Sequence, residues 1–242
     1  MANAAVSPSP QLYARIGGLL YLLLIAAGCW GQLFVRGTII VAGDATATAN
    51  NIMASPSLWR TGIGGDLLMH LCDVPVMIVF YVLLKPINRN LALLAVLFNL
   101  VQTAVLVANK MTLVIPLFLL GNAMYLKAFA PQQLHALAYV SLRAHDYGFG
   151  FGLIFFGAVC LIEGYLIRRS GYLPKALGVL MQVAGACYLL NSFALILAPA
   201  FASMLFPAIM MPPILAESSL AIWLVVKGVD LPKWEEKLRI AG

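Results

Sequence analysis

The sequence predicts an all-α membrane protein, a bundle of six transmembrane helices with short amphipathic extracytoplasmic helices. Of its 242 residues, 62% are hydrophobic and only 10% are charged, whereas a soluble domain carries about 25% charged residues. Apolar stretches of about 20 residues, the length that crosses a bilayer, recur along the chain. The chain length fits one bundle better than two domains.

The six predicted spans are separated by loops that contain basic residues, prolines or glycines. The spans cover residues 16–35, 61–84, 91–120, 147–167, 176–198 and 208–226. With their loops they make a transmembrane domain over residues 11–228. The small, proline-containing segment 1–10 is predicted to be disordered, and residues 229–242 are predicted to form a cytoplasmic tail.

Local features set the expected shape of several spans. Pro75 has no N–H, so the second span is predicted to kink and to turn the carbonyl of Leu71 toward the polar interior. The third span has thirty residues, which makes a helix of about 45 Å, longer than the hydrocarbon core of about 30 Å. The fourth span is rich in glycine, which allows close approach of a neighbouring helix.

Three shorter helices are predicted outside the spans. Residues 45–59 are expected to lie at the interface with Trp59 among the headgroups. Pro131 opens an amphipathic helix over residues 131–145, within a second long loop. After Pro232, the tail is expected to place Trp234 and Leu238 against the membrane interface.

The basic residues predict the orientation of the bundle. Ten of the fifteen lie in the termini and short loops: Arg15, Lys85, Arg89, Arg168, Arg169, Lys175, Lys227, Lys233, Lys237 and Arg239. Because cytoplasmic segments are enriched in Lys and Arg, both termini are predicted to be cytoplasmic. Basic residues at span ends do not form a nucleic-acid-binding stripe, so the expected partners are membrane lipids and a small solute or ion, and no nucleic acid.

Ionisable residues inside the spans are the main functional signal. Asp66, His70 and Asp73 fall within a sector of about 60° of the second span, so they share one helix face. Each ionisable group in a spanning helix costs a few kcal/mol unless it faces protein, water or a partner. We therefore expect the neighbouring helices to supply polar groups toward this face.

Other polar residues lie at matching depths. On the third span, Asn99, Gln102 and Asn109 share a face of about 80°. His145 and Asp146 are placed at the outer mouth of the fourth span, and Asn191 and Glu217 near or above the midplane. The hypothesis is that one cavity, open to the extracytoplasmic side, is lined by Asp66, His70, Asp73, His145 and Glu217. Lys110 is expected to reach the headgroups, with a salt bridge to Asp66 or Asp146 as the alternative.

Three functions remain open at this point. In a structural or assembly protein, the polar groups only join helices, and His70 pairs with Asp66 or Asp73 on its own helix. In a proton- or ion-linked transporter, Asp66, Asp73 and Glu217 are the carriers. In an intramembrane metal-dependent hydrolase or oxidoreductase, a divalent metal is held by His70, His145, Asp66 and Glu217. The sequence contains no HExxH, GxSxG, Walker or Rossmann motif, so it identifies no reaction and no specific cofactor.

Several segments together resemble a known family. They are YARIGGLLYLL, GDLL, PINRNLALLA, YGFGFGLIFFG, SGYLPKALG and SSLAIWLVVKGV. The resemblance is to an uncharacterised domain-of-unknown-function family of small bacterial polytopic membrane proteins, and it covers residues 11–228. It implies a multi-pass protein of the bacterial inner (plasma) membrane. It implies no activity, because the family has no assigned catalytic residues to carry over.

Overall fold

The structure is a computed structural model, and it describes residues 9–241. Within that range it contains helices and no strand, which confirms the predicted all-α class. The helices are α1 (Pro10–Ile39), α2 (Ala45–Ala54), α3 (Pro56–Leu84), α4 (Arg89–Leu119), α5 (Pro131–Ser170), α6 (Lys175–Leu197), α7 (Pro199–Leu205), α8 (Ala208–Val226) and α9 (Leu231–Ala241). Six of them, α1, α3, α4, α5, α6 and α8, are long and apolar enough to cross a membrane.

Helix α1 begins earlier and ends later than predicted. Ser9 caps it and Pro10 occupies its first turn, a position where the missing N–H of proline costs nothing. Pro10 is the last residue of the segment predicted to be disordered, and residues 1–8 lie outside the described range. At its far end the helix widens into a π-helical turn over Trp30–Arg36. Arg36, which was expected in a loop, therefore belongs to the helix.

Helix α5 corrects the prediction of a separate loop helix over residues 131–145. It runs without a break for 40 residues, or about 60 Å, twice the thickness of the hydrocarbon core. After Pro131 no proline or glycine occurs before Gly148, so nothing in the sequence ends the helix between them. The first part of α5 extends beyond the bundle and packs against α2, where the Tyr139 hydroxyl accepts a hydrogen bond from the Gly43 N–H.

Trp59, predicted at the headgroup level, is buried between helices. Helix α3 starts at Pro56 rather than at residue 61, so Trp59 lies in its first turn and is only 1% exposed. Its Nε1 donates a hydrogen bond of 2.8 Å to the carbonyl of Leu113 on α4. A buried indole N–H requires such an acceptor, so Trp59 joins α3 to α4.

The two internal prolines differ in where they leave a free carbonyl. The carbonyl of residue i points along the helix toward residue i+4, and both Leu71 and Pro75 are exposed. The carbonyl of Leu71, which lacks a hydrogen bond because Pro75 has no N–H, therefore faces the exposed side of the helix. The predicted orientation of this carbonyl toward the polar interior is wrong. Pro116 frees the carbonyl of Thr112, which instead accepts a hydrogen bond of 2.7 Å from Ser141 of α5.

The start of α1, the two short loops and the tail meet at one end of the bundle, here called the basic end. Tyr172 and Trp234 both donate to the carbonyl of Leu83, and Gln11 bonds to the backbone of Lys227 and Val229. Burial raises the pKa of Tyr172, whose hydroxyl is the donor in this contact. These contacts require the six long helices to alternate in direction.

The tail helix α9 packs on the bundle more closely than predicted. Trp234 is buried in the hydrophobic core, among residues from α3, α5 and α8. Leu238 stays exposed, as an interfacial residue would be. The tail therefore joins the basic end through Trp234 rather than lying on the interface with both residues.

Candidate functional site

The polar residues of the interior form two groups at different depths. The first, the ion-pair cluster, consists of Arg36, Asp66 and Lys110 and lies toward the end of the bundle opposite the basic end. The Arg36 guanidinium donates to both oxygens of Asp66, at 2.6 and 3.2 Å. Lys110 Nζ lies 3.1 Å from Asp66 Oδ2. All three side chains are buried.

Local backbone features place these three charges together. The π-helical turn carries Arg36 to the face of α1 that packs on α3, and Gln32 one turn earlier accepts a hydrogen bond from its Nε. Gly31 has no side chain that would overlap the Asp66 carboxylate. Lys110 lies at the junction between the two helical segments of α4. The salt bridge of Lys110 to Asp66 was the alternative in the sequence analysis, and its predicted extension to the headgroups is wrong.

Next to the ion-pair cluster, Asn109 holds His145. Asn109 Nδ2 donates a hydrogen bond of 2.9 Å to the carbonyl of His145 and lies 3.1 Å from its Nδ1. Thr112 Oγ1 lies 3.2 Å from the same ring nitrogen. Gly148 leaves the space that the Asn109 side chain fills. His145 thus joins α5 to α4, with its Nδ1 facing two side chains.

The second group surrounds a cavity of about 120 Å³, here called the carboxyl cavity. Its polar lining comes from α1, α3, α4, α5, α6 and α8. The residues are Tyr21, His70, Asp73, Asn99, Gln102, Glu163, Tyr188 and Glu217. Three of these carry carboxyl groups, and the lining includes no Lys or Arg.

Hydrogen bonds hold two of the three carboxyl groups. Glu217 accepts from the Tyr21 hydroxyl at 3.0 Å and from the Tyr188 hydroxyl. Asp73 accepts from the Thr103 hydroxyl and, at 3.4 Å, from Asn99 Nδ2. The partners of Glu217 lie on α1 and α6, and those of Asp73 lie on α4, so both carboxyl groups bind to helices other than their own. Within residues 9–241, the side chain of Glu163 forms no hydrogen bond.

Two buried polar atoms of the same lining have no hydrogen-bond partner in the described part of the chain. They are His70 Nε2 and Asn99 Oδ1, on residues that are 3% and 5% exposed. Almost all buried polar atoms in proteins have a partner. His70 also makes no hydrogen bond to Asp66 or Asp73 among the described residues, so pairing within α3, one of the predicted alternatives, does not occur.

The carboxyl cavity lies near the middle of the membrane. Tyr21, Asp73, Asn99, Glu163 and Glu217 are 7 to 11 residues from the ends of their helices at the basic end. At 1.5 Å per residue this is about 10 to 17 Å along the helix axes. Half of the hydrocarbon core is about 15 Å. The ion-pair cluster lies farther out, since Asp66 is 18 residues from Leu84.

The structure brings together part of the predicted site. His70, Asp73, Asn99, Gln102 and Glu217 line one cavity. Asp66, Asn109 and His145 belong to the ion-pair cluster and its neighbours. Asp146 is exposed and pairs with Arg143, and Asn191 is half-buried and does not line the cavity.

The residues predicted to hold a metal, His70, His145, Asp66 and Glu217, are divided between the two groups. Across residues 9–241, no three His, Cys, Asp or Glu side chains lie close enough to hold a metal ion. The geometry of this set therefore does not fit the predicted divalent metal, whose ligands must surround one point.

Two residues of these polar groups were not among the predicted site residues, Arg36 and Glu163. Arg36 follows the uncharged run 16–35, so the sequence predicted it in the loop after the first span. A lone buried acid such as Asp66 requires a cation, and that requirement was the available signal for Arg36. Glu163 lies seven residues from its helix end and Glu217 lies nine, so both reach the same cavity.

Comparisons with known proteins give a family but no activity. Residues 16–228 match the family model described as a domain of unknown function (DUF4386). The chain is 29% identical, over 170 residues, to an uncharacterised protein of Archaeoglobus fulgidus; the match covers 70% of this chain and 85% of the relative. No solved structure matches the chain significantly.

Proposed function

This chain belongs to the DUF4386 family of unknown function, and we propose that this multi-pass membrane protein exchanges a cation for protons across the membrane at its carboxyl cavity. Asp73, Glu163 and Glu217 are the proposed carriers. A carboxyl group binds either a proton or a cation, so a site built from three of them exchanges one for the other. Asp66, a carrier in the sequence-based hypothesis, is replaced in this role by Glu163.

One observation carries the proposal. Three carboxyl groups from α3, α5 and α8 line one cavity near the membrane centre, and no Lys or Arg lines it with them. Carboxyl groups placed only to join helices are expected to have a cation or a full set of donors nearby, as Asp66 has. Ionisable groups at this depth are rare and commonly mark pathways for ions or protons.

The ion-pair cluster is the proposed gate between this cavity and the extracytoplasmic side. Lys110 Nζ lies 5.8 Å from the centre of the Phe149 ring, and Phe149 lines the cavity. The ion-pair cluster is therefore adjacent to the end of the carboxyl cavity that Phe149 lines. Separation of Arg36 or Lys110 from Asp66 is the proposed opening movement.

The proposed location is the bacterial inner (plasma) membrane with both termini in the cytoplasm. Ten of the fifteen basic residues are at the end of the bundle that carries the N-terminus and the tail. The positive-inside rule places that end in the cytoplasm. In this orientation the ion-pair cluster faces outward, and membrane lipids surround the exposed apolar helix faces.

A structural role is the second candidate, because Asp73 and Glu217 both bind neighbouring helices. Their hydroxyl and amide partners join five helices around the cavity, α3 to α4 and α8 to α1 and α6. A purely structural role leaves the cavity and the lack of a hydrogen-bond donor for Glu163 unexplained. The metal-dependent enzyme has no comparable support, since its four predicted ligands do not meet.

Transport is tested with purified protein in liposomes that contain a pH-sensitive dye. Gradients of sodium, potassium and propylammonium are applied in turn, and protein-free liposomes give the leak to subtract. We expect one or more of these cations to move protons in the opposite direction. Asp73→Asn and Glu217→Gln each remove one carrier and are expected to lower the rate at least tenfold.

The control is Asp146→Asn, which removes an exposed carboxyl group that lies outside the cavity. Its rate is expected to equal that of the wild type. A folded wild-type protein that moves no protons with any cation, or carrier variants with wild-type rates, would leave the structural role as the explanation of the cavity.

A further inference from the structure

We propose that the cation bound in the carboxyl cavity is a small organic ammonium ion that carries N–H groups and a short apolar chain, such as a primary alkylammonium. This inference rests on the proposed function and names the chemical class of its substrate. Four properties of the cavity lead to it: the sign of its charge, its unpartnered acceptors, its aromatic rings and its size.

The charge of the lining selects a cation. Asp73, Glu163 and Glu217 are the acidic residues of the cavity, and His70 is its one basic residue. The buried cation Lys110, which lies 5.8 Å from the ring of the lining residue Phe149, forms an ion pair of 3.1 Å with Asp66. An anion would meet carboxyl groups with no compensating Lys or Arg, so the cavity disfavours anions.

The two unpartnered atoms favour a ligand with N–H groups, because Asn99 Oδ1 is an acceptor and His70 Nε2 accepts when the ring proton is on Nδ1. His70 Nε2 and Asn99 Oδ1 are buried, line the cavity and have no hydrogen-bond partner within residues 9–241. The orientation of Asn99 follows from its Nδ2, which donates to Asp73 and leaves Oδ1 as the free acceptor. A primary ammonium has three N–H donors, enough for both acceptors and one carboxylate. A bare alkali ion and a quaternary ammonium have none.

The aromatic lining favours an apolar substituent on that cation. Tyr21, Phe80, Phe149, Phe156 and Tyr188 surround the cavity. Tyr21 packs edge-on against Phe80 with ring centres 6.0 Å apart, and Phe156 lies 5.4 Å from Tyr188. Aromatic faces attract organic cations most strongly where water is excluded. The same rings bury the carbon atoms of the ligand.

The volume limits the size of the ligand. The cavity measures about 120 Å³, and an apolar protein cavity of about 150 Å³ accommodates benzene, a molecule of six heavy atoms. A ligand of about four or five heavy atoms therefore fits without movement of the helices. Propylammonium has four heavy atoms and three N–H groups, which makes it a suitable probe.

The test is titration calorimetry of the purified protein in detergent with four probes. Propylammonium has charge, N–H donors and a carbon chain. Tetramethylammonium lacks the donors, sodium lacks both donors and carbon, and n-propanol lacks the charge. We expect propylammonium to bind at least tenfold more tightly than each of the other three.

Variants locate the binding in the cavity. Phe156→Leu removes a lining ring and is expected to weaken propylammonium binding about five- to thirtyfold, the range of a desolvated cation–π contact. Phe151→Leu is the matched control on the same helix, because Phe151 is exposed and does not line the cavity. Its affinity is expected to stay within twofold of the wild type. Thermal melting checks that both variants remain folded.

The outcomes separate this inference from the proposed function. If propylammonium binds no better than sodium or tetramethylammonium, or if the two Phe variants weaken binding equally, the inference is wrong. Proton exchange with sodium or potassium in liposomes would then leave the proposed function standing. Selective propylammonium binding without proton movement for any cation would support the inference and overturn transport.

Discussion

At the scale of single residues, the buried charges divide into a paired set and an unpaired set. Asp66 is bound by two cations, whereas the acidic residues of the carboxyl cavity accept only from hydroxyl and amide groups. A buried ion pair gains little overall, but the loss of one partner is costly because the other charge stays buried. We therefore infer that the ion pairs of Asp66 stabilise the folded protein and that the carboxyl cavity binds the ligand.

The role of Asp66 predicts a large loss of stability for Asp66→Asn. The variant leaves Arg36 and Lys110 buried without a carboxylate, which is expected to lower the free energy of unfolding by about 3 to 5 kcal/mol. The control is Asp146→Asn, whose ion pair with Arg143 is 49% and 57% exposed. It is expected to change stability by less than about 1 kcal/mol. Denaturation in detergent measures both, and equal losses would contradict the assignment.

At the scale of helices, α5 and α6 pack backbone against backbone through four glycines. They are Gly157 and Gly164 on α5, and Gly178 and Gly185 on α6. A methyl group added at Gly164 would lie 2.5 Å from the carbonyl oxygen of Gly178, and one at Gly185 would lie 2.6 Å from that of Gly157. Both pairs are seven residues apart, about two helical turns, so the glycines form one continuous line of contact.

This packing predicts that Gly164→Ala destabilises the bundle. The added methyl group overlaps a backbone atom that has no freedom to rotate away, and overpacking of this kind costs about 1 to 3 kcal/mol. Gly64→Ala is the matched control, because Gly64 also lies inside a helix and has open space around its Cα. Its stability is expected to be unchanged or slightly higher. If both variants melt at the wild-type temperature, the helices do not pack as described.

The helices also show what the sequence could and could not predict. Apolar length predicted all six spans, and the shared face of His70 and Asp73 predicted part of the cavity. The position of Arg36 depends on the π-helical turn, which has no simple signature in the local sequence. The separation of Asp66 and His145 from the carboxyl cavity depends on how α1, α4 and α5 pack, and helix periodicity alone does not contain that information.

At the scale of the whole molecule, the two polar groups occupy successive depths along one axis. The contacts of Leu83 and Gln11 at the basic end require six alternating helices, which places the start of α1 and the tail helix on one side. With the basic end in the cytoplasm, an ion from outside meets the ion-pair cluster first and the carboxyl cavity second. The orientation therefore decides which side of the membrane the proposed gate faces.

Reporter fusions test this orientation. A fusion after Val226 is expected to give a cytoplasmic signal, and a fusion within the loop 122–130 is expected to give an extracytoplasmic signal, because the basic residues cluster at the end that carries the tail. An extracytoplasmic signal from the fusion after Val226 would reverse the orientation, and an ion entering from outside would then meet the carboxyl cavity before the ion-pair cluster.

The most direct test of the central claim measures protons released when a cation binds. The purified protein is held in weakly buffered detergent between pH 5 and 8, and a pH indicator follows the addition of propylammonium, sodium or potassium. We predict that at least one cation releases protons from the wild type and releases none from the double variant Asp73→Asn, Glu217→Gln. A folded wild-type protein that releases no protons with any of these cations, or a double variant that releases as many as the wild type, would contradict proton–cation exchange at the carboxyl cavity.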